Sequence, residues 1–118
     1  MVGHIGRKKY VLLICDDETS VPSTAEIAAD PAHQDYAAEV DRRGSRRGGA
    51  RLRPVAEATT VRVRDGETLV SDGPFAETKD FIGGIDILEC ADLNEAVELA
   101  ARHPYARHGA IEVRPVWE

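Results

Sequence analysis

Hydrophobic and polar positions along this chain change in short blocks that predict strands and helices in mixed order. Residues 10–14 form a continuous apolar run bounded by charge, which is typical of a central strand buried on both faces. Residues 85–90 predict a second strand. Residues 110–116 alternate apolar and charged side chains, as a half-buried strand does.

The start and end signals of a first helix lie between these strands. Asp30 is a typical N-cap residue, and Pro31 has the fixed backbone angle that suits the first helical position. Gly44 stands where a helix often ends in a left-handed residue. His33 falls on the apolar face of this helix. That face consists of Tyr36, Ala37 and Val40.

A second helix is predicted from a capping-box-like start. Asp92 is followed three residues later by Glu95, and the helix runs to about His103, before Pro104. Its expected buried stripe is Leu93, Ala96, Val97 and Ala100.

The clearest hairpin signal is the alternation of valine and arginine in residues 59–64. Asp65 and Gly66 then supply a two-residue turn, and residues 68–71 continue as the partner strand. Two segments predict no regular element. Residues 20–29 are expected to form a surface connection, and the glycines and arginines of residues 44–53 are typical of a mobile loop.

The order of elements is strand, helix, hairpin, strand, helix, strand. With the second arm of the hairpin counted as a core strand, this order is the ferredoxin-like βαββαβ plan of the α+β class, with an extra hairpin arm. Both helices then cover one face of a mostly antiparallel sheet, and no element remains for the other face. We expect a second copy to cover it, so the chain is predicted to form a homodimer.

Length and charge limit the possible partners. A chain of 118 residues forms one domain, expected at residues 9–118 after a flexible segment at residues 1–8. The net charge of −6 argues against nucleic-acid and anionic-membrane binding, which leaves a small molecule as the expected partner. Six apolar residues at 10–15 are too few for a signal peptide or a membrane span, so a cytoplasmic location is expected.

Cysteine and histidine spacing indicates neither a disulfide nor a metal site. Cys15 and Cys90 are expected at opposite ends of the sheet as reduced thiols. No HxH, HExxH or CxxC spacing occurs, and no glycine-rich phosphate-binding motif follows the first strand. We therefore expect neither a metal nor an organic cofactor.

The segment from Val70 to Lys79, VSDGPFAETK, followed by Gly83 and Gly84, resembles the signature of the YCII-related family of the DGPF type. The similarity covers nearly the whole chain from Lys9 onward. It implies a dimeric α+β barrel of ferredoxin-like subunits. In related proteins the cleft between sheet and helices is associated with acid/base chemistry on small molecules, although most members have no assigned reaction.

The resemblance also implies a pair of site residues. Shorter YCII relatives have a histidine in a Pro-Ala-His context at the start of the first helix, which His33 matches here. They have an aspartate before Pro-Tyr near the end of the second helix. His103 stands at that second position in this chain, before Pro104 and Tyr105.

Five residues are candidates for the site. His33 and Asp72 are expected to carry proton transfer, Phe75 to supply an apolar wall, and Lys79 and His103 to bind the ligand. Each has a structural alternative. Asp72 stands in a tight turn where it can bond nearby amides, Lys79 can be a solvated surface residue, and His33 can be a core or interface histidine.

A basic cluster around the expected loop has two interpretations. Guanidinium groups bind phosphate oxygens in pairs, so the cluster can grip phosphate or nucleic acid. Alternatively it is a solvated loop that balances an acidic chain. The cluster consists of Arg42, Arg43, Arg46, Arg47, Arg51 and Arg53.

Two functions follow from these residues. The first is a small-molecule enzyme of isomerase, lyase or hydrolase type, working by acid/base chemistry without a cofactor. The second is a non-enzymatic ligand-sensing or regulatory interaction module linked to transcription. Convergence of His33 and Asp72 in a closed pocket would favour the enzyme, and their separation would favour the module.

Overall fold

The computed structural model describes residues 6–19, 21–75 and 81–118. Of the segment expected to be flexible, residues 1–5 lie outside the described part, and Lys8 is the first residue of a strand. The strands are β1 (Lys8–Asp16), β2 (Arg46–Arg51), β3 (Thr59–Arg64), β4 (Glu67–Asp72), β5 (Phe81–Cys90) and β6 (Ala110–Pro115). The helices are α1 (Thr24–Ala29), α2 (Pro31–Arg42) and α3 (Leu93–Arg102). None of these helices is long and apolar enough to cross a membrane.

The main sheet has four strands in the order β2-β5-β1-β6, and every neighbouring pair is antiparallel. This order, with α2 after β1 and α3 after β5, confirms the ferredoxin-like α+β fold. In the β1–β5 register Cys90 lies opposite Lys8, and Cys15 lies opposite Ile82. The two cysteines therefore occupy opposite ends of the sheet, as expected, and do not form a disulfide with each other.

The predicted start and turn signals act as the sequence indicates. The Asp30 side chain accepts the Ala32 N–H at 3.0 Å at the start of α2. Asp92 accepts the Glu95 N–H at 2.9 Å at the start of α3. The β3–β4 turn has positive φ at both central residues, 51° at Asp65 and 79° at Gly66, the geometry that matches the twist of a hairpin.

The core lies between one face of the main sheet and helices α2 and α3. Alternation along β1 and β5 sends every second side chain to this face. On α3 the buried stripe differs from expectation, because Leu93 and Val97 are exposed and Leu99 is buried in their place. The core residues are Tyr10, Leu12, Tyr36, Val40, Leu88, Cys90, Ala96, Leu99 and Ala100.

The expectation of a loop at residues 44–53 is wrong, because residues 46–51 form β2 at the edge of the main sheet. Nothing in its Arg-Arg-Gly-Gly-Ala-Arg sequence has the apolar alternation of a strand. Pairing with β5 holds it instead, and two of its arginines meet acidic side chains of β5. Arg46 lies 3.6 Å from Asp86, and Arg47 lies 3.3 Å from Glu89. Tertiary pairing here overrides local propensity.

The hairpin of β3 and β4 forms as predicted, but the prediction that its second arm joins the main sheet is wrong. Strands β3 and β4 form a separate two-stranded sheet, so the second arm is not a core strand, and β2 takes that place. The hairpin makes few contacts with the rest of the fold. Directly opposed residues share a face, and Val61 and Val70, 60% and 64% exposed, form an apolar patch on it.

The segment expected to be a surface connection contains α1. Ser23 begins this helix with a reciprocal capping box, in which its hydroxyl accepts the Glu26 N–H and the Glu26 carboxylate accepts the Ser23 N–H, each at 3.1 Å. Ser20 lies outside the described residues. The sequence did contain a signal for this helix, because a serine followed three residues later by a glutamate is the pattern of a capping box.

The face of the main sheet opposite the helices carries a row of apolar side chains. Val11 pairs with Ile87 and Leu13 pairs with Ile85, and all four are only partly buried. A polar pair, Lys9 opposite Glu89, lies at one end of the row. No helix of the described residues packs on this face.

We predict that a second copy covers this face. Light scattering should give twice the chain mass of 12.9 kDa. Leu13→Glu should yield a folded monomer, because it places a charge in the centre of the apolar row. Val97→Glu, on the exposed side of α3, is the matched control and should leave the dimer intact. A monomeric wild-type chain at micromolar concentration would contradict the prediction.

A further prediction concerns Gly73, which follows β4 with φ of 91°. A Cβ there meets no atom within 4 Å, so Gly73→Ala should destabilise through backbone strain alone, by about 1–2 kcal/mol. Gly48→Ala is the control, because its Cβ also meets nothing and its φ is not positive. Urea unfolding of both variants measures the difference. Equal stabilities would show that Gly73 is not strained by a side chain.

Candidate active site

A cavity of about 530 Å³ lies between the sheet and helices α1 and α2. Strands β2 and β5 form its floor, and residues 103–105, after α3, close one end. Most of its wall is apolar, and a small number of polar side chains reach into it. The apolar lining includes Ile14, Ile27, Ala37, Val40 and Pro104.

Two histidines from different helices meet in this cavity. His33 lies in the first turn of α2, and His103 ends α3 as its C-cap residue. Their ring centroids are 5.6 Å apart in an edge-to-face arrangement, and the Tyr36 ring lies 4.7 Å from the His103 ring. The two positions that the resemblance implies as a site pair, His33 and His103, are therefore neighbours in space.

His103 is held as a neutral imidazole. Its Nδ1 accepts the Tyr105 N–H at 3.1 Å, which assigns the proton of the neutral ring to Nε2. The side chain is buried, and burial, with a smaller effect from the nearby His33, lowers the pKa of His103 to about 4. At neutral pH His103 is thus a hydrogen-bond donor through Nε2 and not a cation.

A carboxylate reaches the floor of the cavity from β5. The Tyr36 hydroxyl donates to Asp86 Oδ2 at 2.7 Å, and the guanidinium of Arg46 lies 3.6 Å from Asp86 Oδ1. Burial, and then the negative charge of Asp86, raise the pKa of Tyr36 well above its usual value. Tyr36 therefore stays protonated and fixes Asp86 beneath the two histidines.

Residues 72–75, which are the DGPF motif itself, do not line this cavity in a single chain. Asp72 ends β4 on the exposed hairpin, and neither Asp72 nor Phe75 is among the described residues that line the cavity. Phe75 is 72% exposed, with the Arg62 guanidinium 4.8 Å from its ring centroid. The expected meeting of His33 with Asp72 does not occur here. Lys79 lies outside the described residues.

Comparison with known proteins shows to which family the chain belongs. The family model for the YCII-related domain matches residues 8–118. The chain belongs to the YCII-related family. It is 46% identical over 69 residues to a Rhizobium meliloti (strain 1021) protein described only as uncharacterised. That match spans 57% of this chain and 56% of the relative's length.

Sequence reasoning about this YCII-related chain missed two site residues. Tyr36 was assigned to the core, and its hydroxyl proves to hold Asp86. A signal for Asp86 was present, because it interrupts the apolar residues of β5 at a position that faces the helices. A charged residue on a buried face needs a partner, and that need predicts a polar group on the covering helix.

The arginines of the YCII-related chain are engaged within the protein. Five of the six arginines of the basic cluster lie beside a carboxylate of the same chain, and the sixth, Arg51, contacts neutral oxygens. Arg42 and Arg43 pair with Glu39, and Arg43 also reaches Glu95 and Glu98. Arg53 lies 2.8 Å from Glu57.

Among the described residues, no group of three or more His, Cys, Asp or Glu side chains is placed to hold a metal ion.

The pKa of His103 predicts how stability depends on pH. The native pKa of about 4 lies below the usual histidine pKa of 6.5, so between these pH values the unfolded chain binds a proton that the native state does not bind. This difference in proton binding at His103 should lower the free energy of unfolding by up to roughly 3 kcal/mol as the pH falls to 4.

Urea unfolding at pH 7 and pH 4.5 measures this cost. His103→Gln should reduce the loss of stability between the two pH values, because glutamine has no proton to gain. His108→Gln is the control, since His108 is exposed. Equal pH dependence of wild type and His103→Gln would contradict a buried neutral imidazole.

Proposed function

We propose that this protein binds a small organic molecule in the cavity between α1, α2 and the sheet, and that His33 and His103 carry acid/base chemistry on it. The observation that carries the proposal is the convergence of the two histidines in a largely apolar cavity of about 530 Å³. Concave, mostly apolar sites with a few convergent polar groups are the usual form of small-molecule sites.

The two histidines are suited to different roles. His103 is neutral and can donate a hydrogen bond to a carbonyl or similar oxygen through Nε2. With a pKa of about 4 it is a weak base, so proton abstraction falls to His33. Tyr36 and Asp86 also line the cavity, where the tyrosine hydroxyl donates a hydrogen bond to the carboxylate. This division of roles suits an isomerase, lyase or hydrolase reaction that needs neither metal nor organic cofactor.

A ligand-sensing module without chemistry is the second candidate. It is favoured by the position of Asp72, since the carboxylate expected to orient His33 lies on the hairpin and not in the cavity. Participation of Asp72 stays a prediction from the DGPF segment. Both candidates require ligand binding in the same cavity, and they differ only in turnover.

A thermal-shift screen against a metabolite library tests binding. A ligand of the native state should raise the unfolding midpoint by mass action. Ala37→Phe should strongly reduce that rise, because Ala37 lines the cavity and its replacement projects a phenyl ring into the space a ligand would occupy. Ala38→Phe, one position along the same helix but exposed, is the matched control and should keep the rise. Equal shifts in both variants would place the ligand elsewhere.

Turnover separates the two candidates once a ligand is known. General acid/base help is worth on the order of 10² to 10⁴ in rate, so His33→Ala should remove most activity while binding survives in part. Asp72→Asn measures the contribution of the DGPF segment in the same assay. Unchanged turnover in His33→Ala would overturn the role of His33, and absence of turnover with every ligand found would favour the sensing module.

A further inference from the structure

A β-bulge in β2 brings two arginines to the cavity side of the sheet. Residues five apart on a regular strand face opposite sides. In the β2–β5 pairing the register shifts by one residue between Arg46 and Gly48. On one side of the shift Arg46 pairs with Leu88, and on the other side Arg51 pairs with Gly84. Arg46 and Arg51 consequently lie on the same face, and both line the cavity. Bulges that re-aim a side chain are common beside functional sites.

The backbone of β2 is shaped to hold Arg46 in this position. A Cβ on Gly49 would lie 2.7 Å from the Arg46 guanidinium and 2.7 Å from the Ile85 carbonyl oxygen, and it would collide with the Asp86 carboxylate. Glycine therefore leaves the space through which Arg46 reaches Asp86. The side chain of Arg46 remains 49% exposed, so most of its donors face solvent or the cavity.

The direct hydrogen-bond contacts of Arg51 are with neutral groups. Its guanidinium donates to the Pro22 carbonyl oxygen and lies 3.4 Å from the Thr24 hydroxyl, which are both neutral groups. No carboxylate ion pair to Arg51 is present among the described residues. On this floor Asp86 engages Arg46, so the guanidinium of Arg51 is the group better placed to receive an anionic group of a ligand.

Other acidic side chains that line the cavity are already compensated. Asp30 and Glu26 lie at helix starts, where each accepts a backbone N–H and faces the positive end of the peptide dipoles. Asp41 is exposed, so solvent and salt screen its charge. Hydrogen bonds with Ser23, and then the charge of Arg51, lower the pKa of Glu26, so this carboxylate offsets part of the charge of Arg51.

We propose that Arg46 and Arg51 form an anion anchor, so that the ligand of this cavity is a small carboxylic acid with an apolar body. The inference rests on the proposed function and names its ligand class. The carboxylate lies on the β2 floor between the two guanidinium groups. The apolar body then lies along Ile14, Ile27 and Val40, toward the histidines.

Isothermal titration with matched probes tests the anchor. The pairs are phenylacetate with phenylacetamide and hexanoate with hexanamide, at constant ionic strength, with inorganic phosphate as a separate probe. Charge-assisted hydrogen bonds should make each carboxylate bind roughly 10- to 100-fold more tightly than its amide. Arg46→Met and Arg51→Met should lose most of this preference while the amide affinity stays unchanged, which a merely structural role would not give.

Controls separate the anchor from general charge effects and from loss of fold. Arg53→Met removes a neighbouring arginine that does not line the cavity and should keep the preference. Arg46→Lys retains the charge and should keep part of it, with circular dichroism checking that each variant folds.

Several results would overturn the anchor. These are equal binding of carboxylates and amides, tighter binding of phosphate than of either carboxylate, or a preference that survives in both methionine variants. If no probe binds but the library screen finds a neutral or cationic ligand that Ala37→Phe excludes, the anchor is wrong and the proposed function stands. If Ala37→Phe excludes no ligand at all, the proposed function fails as well.

Discussion

Antiparallel pairing of β1 with β5 determines where every important side chain of this protein lies. Because the side-chain period of a strand is two, the register that sets Tyr10 opposite Leu88 also sets Leu12 opposite Asp86 and Ile14 opposite Gly84. The face of β1 and β5 that is turned to the helices therefore contributes to the hydrophobic core at one end and to the cavity floor at the other. A shift by one residue would send Leu12 and Leu88 to the uncovered face and Asp86 out of the site.

The cost of placing Asp86 under the helices explains the polar contacts around it. A buried carboxylate without partners is strongly unfavourable, so it requires both a hydrogen bond and a nearby cation. Tyr36 provides the first from α2, and Arg46 provides the second from β2. Core packing and the candidate site are thus parts of one arrangement, because the same tyrosine ring packs against His103 and holds the carboxylate.

Prediction from sequence worked where the signal is local. Asp30, Asp92 and the Asp65-Gly66 turn act through their own neighbours, so their positions follow from a few residues of sequence. It failed for β2, whose arginines and glycines become a strand only through partners on β5 some forty residues away, as the pairing of Arg47 with Glu89 shows. The site follows the same rule. Short segments of sequence made His33 and His103 candidates, whereas the pairing of Tyr36 with Asp86 depends on the packing of a helix against a strand.

The isolation of the hairpin has a consequence for cooperativity. The chain leaves the main sheet after β2 and returns at β5, and a backbone hydrogen bond of 2.9 Å from Leu52 to Gly83 joins the two points. The ladder of the main sheet is therefore closed without β3 and β4. Protected amides of the core report global unfolding, whereas amides of a two-stranded ribbon that is mostly exposed exchange through local opening. We therefore expect loss of hairpin order to leave the cavity floor in place, so that Asp72 and the two histidines belong to separate units of stability.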